Sequence, residues 1–335
     1  MRGITFLLSI LILSACTFQR DEVDTTEGNI DSLVVVDTLP PLPKEIKAED
    51  IIIRKELLYD KYTLDSVYPY KDTTRVFQME KIKAGLALIE TVQLEKGSWG
   101  ILQNRQNKNK EAPVARNFKR NKYKLITDSL GTERYQGIPL YSLSDTITPE
   151  RYALDGSLVK ISDDTTNFVR ASTVFFEGDW YIPRRYIKTI EIDTLYFNKV
   201  AFVDRTNQNI MTLEKVGSEW LIRSMNPATT GVYRPPYAHP TPLGIFVVQE
   251  KKAKMIFLKD GTNETGGFAP YASRFCNGAY IHGVPSNVPR TTIIEYSQTL
   301  GTIPRSHMCV RNASSHAEFV YNWAPIYESL ILVIE

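Results

Sequence analysis

What most constrains the fold is a contrast in hydrophobic periodicity. One stretch, "TTRVFQMEKIKAGLALIETVQLE" (73–95), sets Phe77, Ile82, Leu86, Ile89 and Val92 at roughly helical spacing, which predicts an amphipathic helix despite Gly85 in its middle. From about residue 133 the pattern changes to short β-branched and aromatic runs bounded by Gly, Asp and Pro: "SLVKIS", "NFVRAS" and "GDWYIPRRYIKTI". Strand-like runs continue with "KVAFVDRTNQNIMTLEKV", "EWLIRSMN", "LGIFVVQE", "AKMIFLKD" and "SLILVIE", and "SHAEFVYNW" reads as a second, short helix. The chain is therefore expected to be mainly β. Eighteen Tyr and eighteen Pro agree with that expectation, and no internal repeat or low-complexity block competes with it.

At 335 residues the chain is long enough for two domains and a substantial core. Its formal charge of +2 gives no global case for a nucleic-acid partner. The N-terminus stands apart. "MRGITFLLSILILSAC" places one Arg before the mostly apolar run Phe6–Leu13, which is too short to span a bilayer as a helix and reads as a secretory signal. Its end, Leu13-Ser14-Ala15-Cys16, resembles a bacterial lipobox. That resemblance implies a signal spanning 1–16, lipidation of Cys16 and a membrane anchor on the periplasmic side, with Thr17 favouring the outer membrane. A plain secretory signal is the alternative.

Residues 17–48 read as an acidic, Pro-rich tether. In the following region, 49–192, "NKNKEAPVARNFKRNKYK" (107–124) is basic; it is either a solvated loop or a surface drawn to an anionic envelope polymer. Trp180–Ile187 resembles the close of a bacterial SH3-type barrel, which implies a small β-barrel module whose aromatics are either structural or ligand-binding.

The chemistry can first be sought without a family. The chain has four His, no HExxH, no paired CxxC and no glycine-rich phosphate loop after a strand, so zinc and nucleotide chemistry have little support. With Cys16 consumed by lipid, Cys276 and Cys309 are left in an oxidising compartment, where a disulfide between them is one reading. The other is thiol chemistry, which needs a nearby base and a positive field. In "IPRSHMCVRN" (303–312), His307 lies two residues before Cys309, so an extended segment would point both side chains one way. His282 ends the strand-like "NGAYIHG" beside a turn, a workable place for a base facing a loop cysteine. His239 and His316 read as structural.

Four segments then resemble, in order, the L,D-transpeptidase (YkuD-type) catalytic domain. They are "VDRTNQNIMTLEKVGSEWLIRSMNPATTG", "YAHPTPLGIF", "IHG" and "SHMCVR", within a domain expected at 193–335. The resemblance implies a β-sandwich or barrel with a short helix. It also implies Cys309 as nucleophile, His282 as base and the Gly283 carbonyl as the group orienting the imidazole. The backbone N–H groups of Met308 and Cys309 become candidate oxyanion donors. Ser306 and His307 would position the turn, Arg311 would shape the loop or hold a carboxylate, and Thr241, Gly244 and Tyr271 become substrate-lining candidates. No cofactor or metal is implied.

Two departures stand out. Met308 replaces the family's usual glycine, so a turn needing positive φ would be strained, and its side chain could narrow the pocket. The loop "VPSNVPRTTIIEYSQTLGTIP" is longer than usual and could serve as a lid. The implied activity is 3-3 cross-linking of peptidoglycan, with stem peptides as donor and acceptor, release of D-Ala, and carbapenems as expected inhibitors. A carboxypeptidase, an endopeptidase, a protein-to-wall ligase or a non-catalytic wall-binding lipoprotein are the alternatives.

Overall fold

The computed structural model describes residues 45–335 except 96, 175 and 191–195. The expected signal, Cys16 and the tether up to residue 44 lie outside the described residues. After a short 3-10 turn at Ala48–Asp50 come β1 (Ile53–Lys55) and a hairpin that pairs Val67–Tyr70 with Thr73–Val76. Helix α1 (Met79–Leu94) follows, so the expected helix begins later than its periodicity suggested. Thr73, Thr74 and Val76 are β-branched and enter the hairpin instead. Gly85 has a packing reason: a Cβ there would lie 2.8 Å from Phe202 and 2.9 Å from Leu332.

Next come β2 (Ser98–Leu102), β3 (Leu158–Asp164), β4 (Phe168–Thr173), β5 (Asp179–Pro183) and β6 (Ile187–Ile190). They form an antiparallel sheet in the order β5-β4-β3-β2-β6, with a 3-10 turn at Arg184–Tyr186 before β6. Trp180 and Tyr186 pack in its core with Val159, Val169 and Ile182, a structural use of these aromatics. The long connection 103–157 carries the basic run, whose Lys and Arg side chains are exposed.

The rest of the chain supplies β7 (Lys199–Asp204), β8 (Asn209–Val216), β9 (Glu219–Pro227), β10 (Gly244–Val247), β11 (Glu250–Leu258), β12 (Thr265–Cys276), β13 (Ala279–His282), β14 (Val310–Arg311), α2 (Ser314–Trp323) and β15 (Ser329–Ile334). One sheet runs β1-β9-β8-β7-β15-β10, with β1 parallel to β9 and β7 parallel to β15. The other runs β11-β12-β13-β14, and Ser286–Asn287 also pairs with β12.

Alternation explains why β7 and β15 read as unbroken apolar runs. Val200, Phe202, Leu330 and Leu332 face a core shared with α1, while Ala201, Val203, Ile331 and Val333 face a second core with the other sheet and α2. Burying aliphatic side chains of this size contributes about 1.5–3 kcal/mol each, before entropy is counted. The molecule is mainly β, with a YkuD-like sandwich in its C-terminal part.

Candidate active site

The register of β13 against β14 sets the site. Ile281 pairs with Val310 and His282 with Arg311, so Cys309 stands just before β14 and two residues from the partner of His282. Side chains two apart share a face, and His282, Cys309 and Arg311 accordingly line one cleft of about 540 Å³. Met255, Phe257 and Leu258 of β11 form an apolar wall, and Lys259, Asp260 and His307 add polar groups. Cys276 and Cys309 are both free thiols, Cys276 within the core and Cys309 half-buried in the cleft, so the disulfide reading does not hold in this structure.

His282 is buried, and its Nδ1 lies 2.6 Å from the Gly283 carbonyl. A proton on Nδ1, donated to that oxygen, leaves Nε2 as an acceptor. Burial pulls the imidazole pKa from 6.5 down to about 4; the Gly283 carbonyl opposes the shift and Arg311 assists it. Burial pushes the Cys309 thiol up, against the Tyr280 backbone amide and the Arg311 charge, which both favour the thiolate. At neutral pH the pair therefore rests as thiol and imidazole, not as an ion pair. The sulfur also lies 3.6 Å from the Gly278 carbonyl, an acceptor for its proton.

The turn carrying Cys309 is braced from below. The Ser306 hydroxyl donates to the Cys309 carbonyl, and Thr241 Oγ1 donates to the Met308 carbonyl at 2.8 Å. The same Thr241 oxygen accepts the Gly231 N–H, also at 2.8 Å. Met308 has a φ of 73°, the left-handed conformation that glycine adopts readily. Segment 306–309 is therefore a bend, not the extended run expected from sequence, although His307 and Cys309 still face the same cleft.

Two expectations for Met308 change. Its N–H donates to the His239 carbonyl at 2.9 Å and is spent on the scaffold rather than offered to an oxyanion. Its side chain packs against the second core and does not line the cleft.

The substrate-lining candidates separate from the cleft. Thr241 is fully buried beneath the turn, and Gly244 opens β10 at a small cavity by Arg151 and Phe176. Tyr271 faces α2, with its ring 6.0 Å from that of Tyr321, and the Glu318 carboxylate beside it pushes its phenol pKa up. None of the three lines the cleft, because each lies on the scaffold side of its strand or loop. His307 does line it, with Nδ1 3.5 Å from Asp260. The backbone of Arg311 is tied to Thr229, and among the described residues its Nε has no hydrogen-bond partner.

His316 is buried with Nε2 2.9 Å from Ser224 Oγ, and His239 stacks on Tyr123 at 3.8 Å. The expected lid is held down. Lys61 pairs with Glu295, Tyr62 packs on Tyr296, and Arg75 donates to the carbonyls of Gly301 and Thr302.

Residues 198–333 match the L,D-transpeptidase catalytic domain family, YkuD. That part of the chain is a YkuD L,D-transpeptidase catalytic domain. No curated protein matches the chain. Among solved structures, an L,D-transpeptidase from Mycobacterium smegmatis is 18% identical, covering 53% of this chain and 82% of its own, with a TM-score of 0.34. One from Mycobacterium tuberculosis H37Rv is 19% identical, covering 55% and 92%, with a TM-score of 0.33. A fused Zn-dependent amidase/peptidase/peptidoglycan-binding domain-containing protein from Clostridium acetobutylicum is 17% identical, with a TM-score of 0.30. The match covers 41% of this chain and spans about half, 52%, of that protein.

Sequence reasoning missed three groups around the site. Gly231 carries no Cβ because one would meet the His239 carbonyl at 2.4 Å and Met308 Cα at 2.8 Å. Tyr280 contributes through its backbone amide, which no side-chain motif reveals. Asp155, within "ALDGS", reads as an ordinary turn residue, yet it is fully buried against β12.

Proposed function

We propose that the protein is a peptidoglycan L,D-transpeptidase that forms 3-3 cross-links through a thioester on Cys309. The observation that carries this reading is the alignment of His282 with its Nδ1 fixed on the Gly283 carbonyl and its ring lining the Cys309 cleft. The Cys309 proton passes to His282 Nε2 as the sulfur attacks the carbonyl of the third stem residue. Collapse of the tetrahedral adduct breaks the peptide bond, and the departing D-Ala amine takes the proton from His282. An acceptor amine then attacks the thioester, His282 receives its proton, and that proton returns to the sulfur. With the Met308 N–H engaged, the Cys309 N–H is the backbone donor assigned to the oxyanion.

Residues 98–190 are read as an SH3-like module; the strand order and the 3-10 turn before the last strand support this. Cys16 is read as the lipid-anchored residue, with the folded part on the periplasmic side of the envelope. The deciding experiment incubates wild type and Cys309→Ala with purified tetrapeptide muropeptides and follows products by mass spectrometry. Dimers with loss of D-Ala are expected from the wild type alone. Loss of D-Ala without dimers would identify a carboxypeptidase, and no product from either would sink the enzymatic reading. A carbapenem mass adduct on Cys309 is expected as well.

A further inference from the structure

The sulfur of Cys309 is held by a hairpin tip rather than by its own loop. Gly278 presents its carbonyl 3.6 Å from Sγ, and the Tyr280 amide lies within reach two residues on. Gly278 belongs to the turn Asn277–Gly278 between β12 and β13, with Asn277 in the left-handed region at φ 43°, and Tyr280 follows within β13. That tip is not self-supporting, for its first N–H is spent on a residue from the upstream module. Asp155 Oδ2 accepts the Asn277 N–H at 3.0 Å, Arg274 Nη1 at 2.6 Å and Gln249 Nε2 at 3.0 Å, while its Oδ1 accepts the Asn104 N–H at 2.9 Å. A fully buried carboxylate with four donors has no freedom to move.

The backbone beside it is equally committed. Gly156 sits at φ 89°, and a Cβ there would lie 2.0 Å from the Phe275 carbonyl. The turn can approach β12 this closely only as glycine. Gln249 extends the joint, donating to the Phe275 carbonyl at 2.9 Å and accepting from Gln103 Nε2 at 3.0 Å.

We propose that Asp155 is a positioning residue for Cys309: it fixes the Asn277–Gly278 tip from across the module boundary, so that the Gly278 carbonyl and the Tyr280 amide just beyond it meet the sulfur. The upstream module is then part of the catalytic apparatus. This rests on Cys309 being the nucleophile, and the test separates the two ideas.

Full-length protein is alkylated with iodoacetamide from about pH 6 to about pH 10, and modification of Cys309 is followed by peptide mass mapping. Asp155→Asn is expected to raise the midpoint of the profile, because the charge-assisted Tyr280 N–H bond that favours the thiolate outweighs the weak S–H bond to Gly278 that favours the thiol. Alkylation at pH 7 should slow by about threefold to tenfold, since each pKa unit changes the thiolate fraction about tenfold. The field effect alone has the opposite sign, because removing a carboxylate lowers a neighbouring thiol pKa. A merely structural role would lower the melting temperature and leave the midpoint in place. A lowered or unmoved midpoint in folded protein overturns the proposal. Should Asp155→Asn fail to fold, Gln103→Ala, at the half-buried edge of the joint, reads the same quantity, with a smaller rise expected and no rise overturning it. The profile is measurable even if the wild type turns over no muropeptide, so failure of the transpeptidase reading is seen separately.

Discussion

Met308 concentrates the cost of this site in one residue. A non-glycine side chain at φ 73° is held there by the His239 carbonyl on its N–H and the Thr241 hydroxyl on its carbonyl. Met308→Gly is expected to relieve about 1 kcal/mol of strain, less what glycine's extra unfolded-state freedom takes back. Calorimetry should show a melting temperature unchanged or raised by up to about 4 °C. Carbapenem acylation should persist, because the Met308 side chain lies outside the cleft; loss of acylation would show that the side chain does more than fill core space. Two histidines give the protein an acid limit. His282 and His316 have native pKa values of about 4 and about 3, both pulled from 6.5 by burial. Below pH 6.5 the unfolded chain therefore binds protons that the native state refuses, and stability falls as pH drops towards those values. The melting temperature should decline from pH 7 to pH 5, and His316→Gln should flatten that decline. An equally steep decline in the variant would count against His316.

Among the elements, the connection between β13 and β14 differs most from its sequence reading. Its length suggested a lid; Arg75, Lys61 and Tyr62 of the N-terminal arm fasten its outer edge, while its first part, Pro285, Asn287 and Val288, lines the cleft opposite the apolar residues of β11. Arg75→Ala is expected to raise hydrogen exchange across 297–303 and to cost about 1–3 kcal/mol by leaving two carbonyls without their charged donor. Unchanged exchange there would mean that backbone contacts alone secure the loop. The strands after 195, the helix "SHAEFVYNW" and the pairing of His282 with Cys309 are legible in sequence, because alternation and short motifs are local signals. Strand β2, written "SWGIL", escapes notice because its partners β3 and β6 lie far along the chain. Asp155 escapes for the same reason: it acts through long-range contacts, and nothing beside it in sequence marks them.

At the scale of the whole molecule, the six-stranded sheet depends on what precedes it. Helix α1 and strand β2 supply Ile82, Leu86, Ile89, Trp99 and Ile101 to the core that covers one face of β7 and β15. A fragment of residues 193–335 would expose that face, a large apolar patch of the kind that drives aggregation. It is expected to lack a cooperative thermal transition and to precipitate, whereas residues 45–335 should melt as one unit; a soluble, cooperatively folding fragment would refute this dependence. The place of β15 between β7 and the edge strand β10 has a temporal consequence. It pairs with both, yet it is synthesised long after either. Until it emerges, β10 has no partner strand in this sheet and β7 leaves an edge open, which ties completion of the sheet to the arrival of β15.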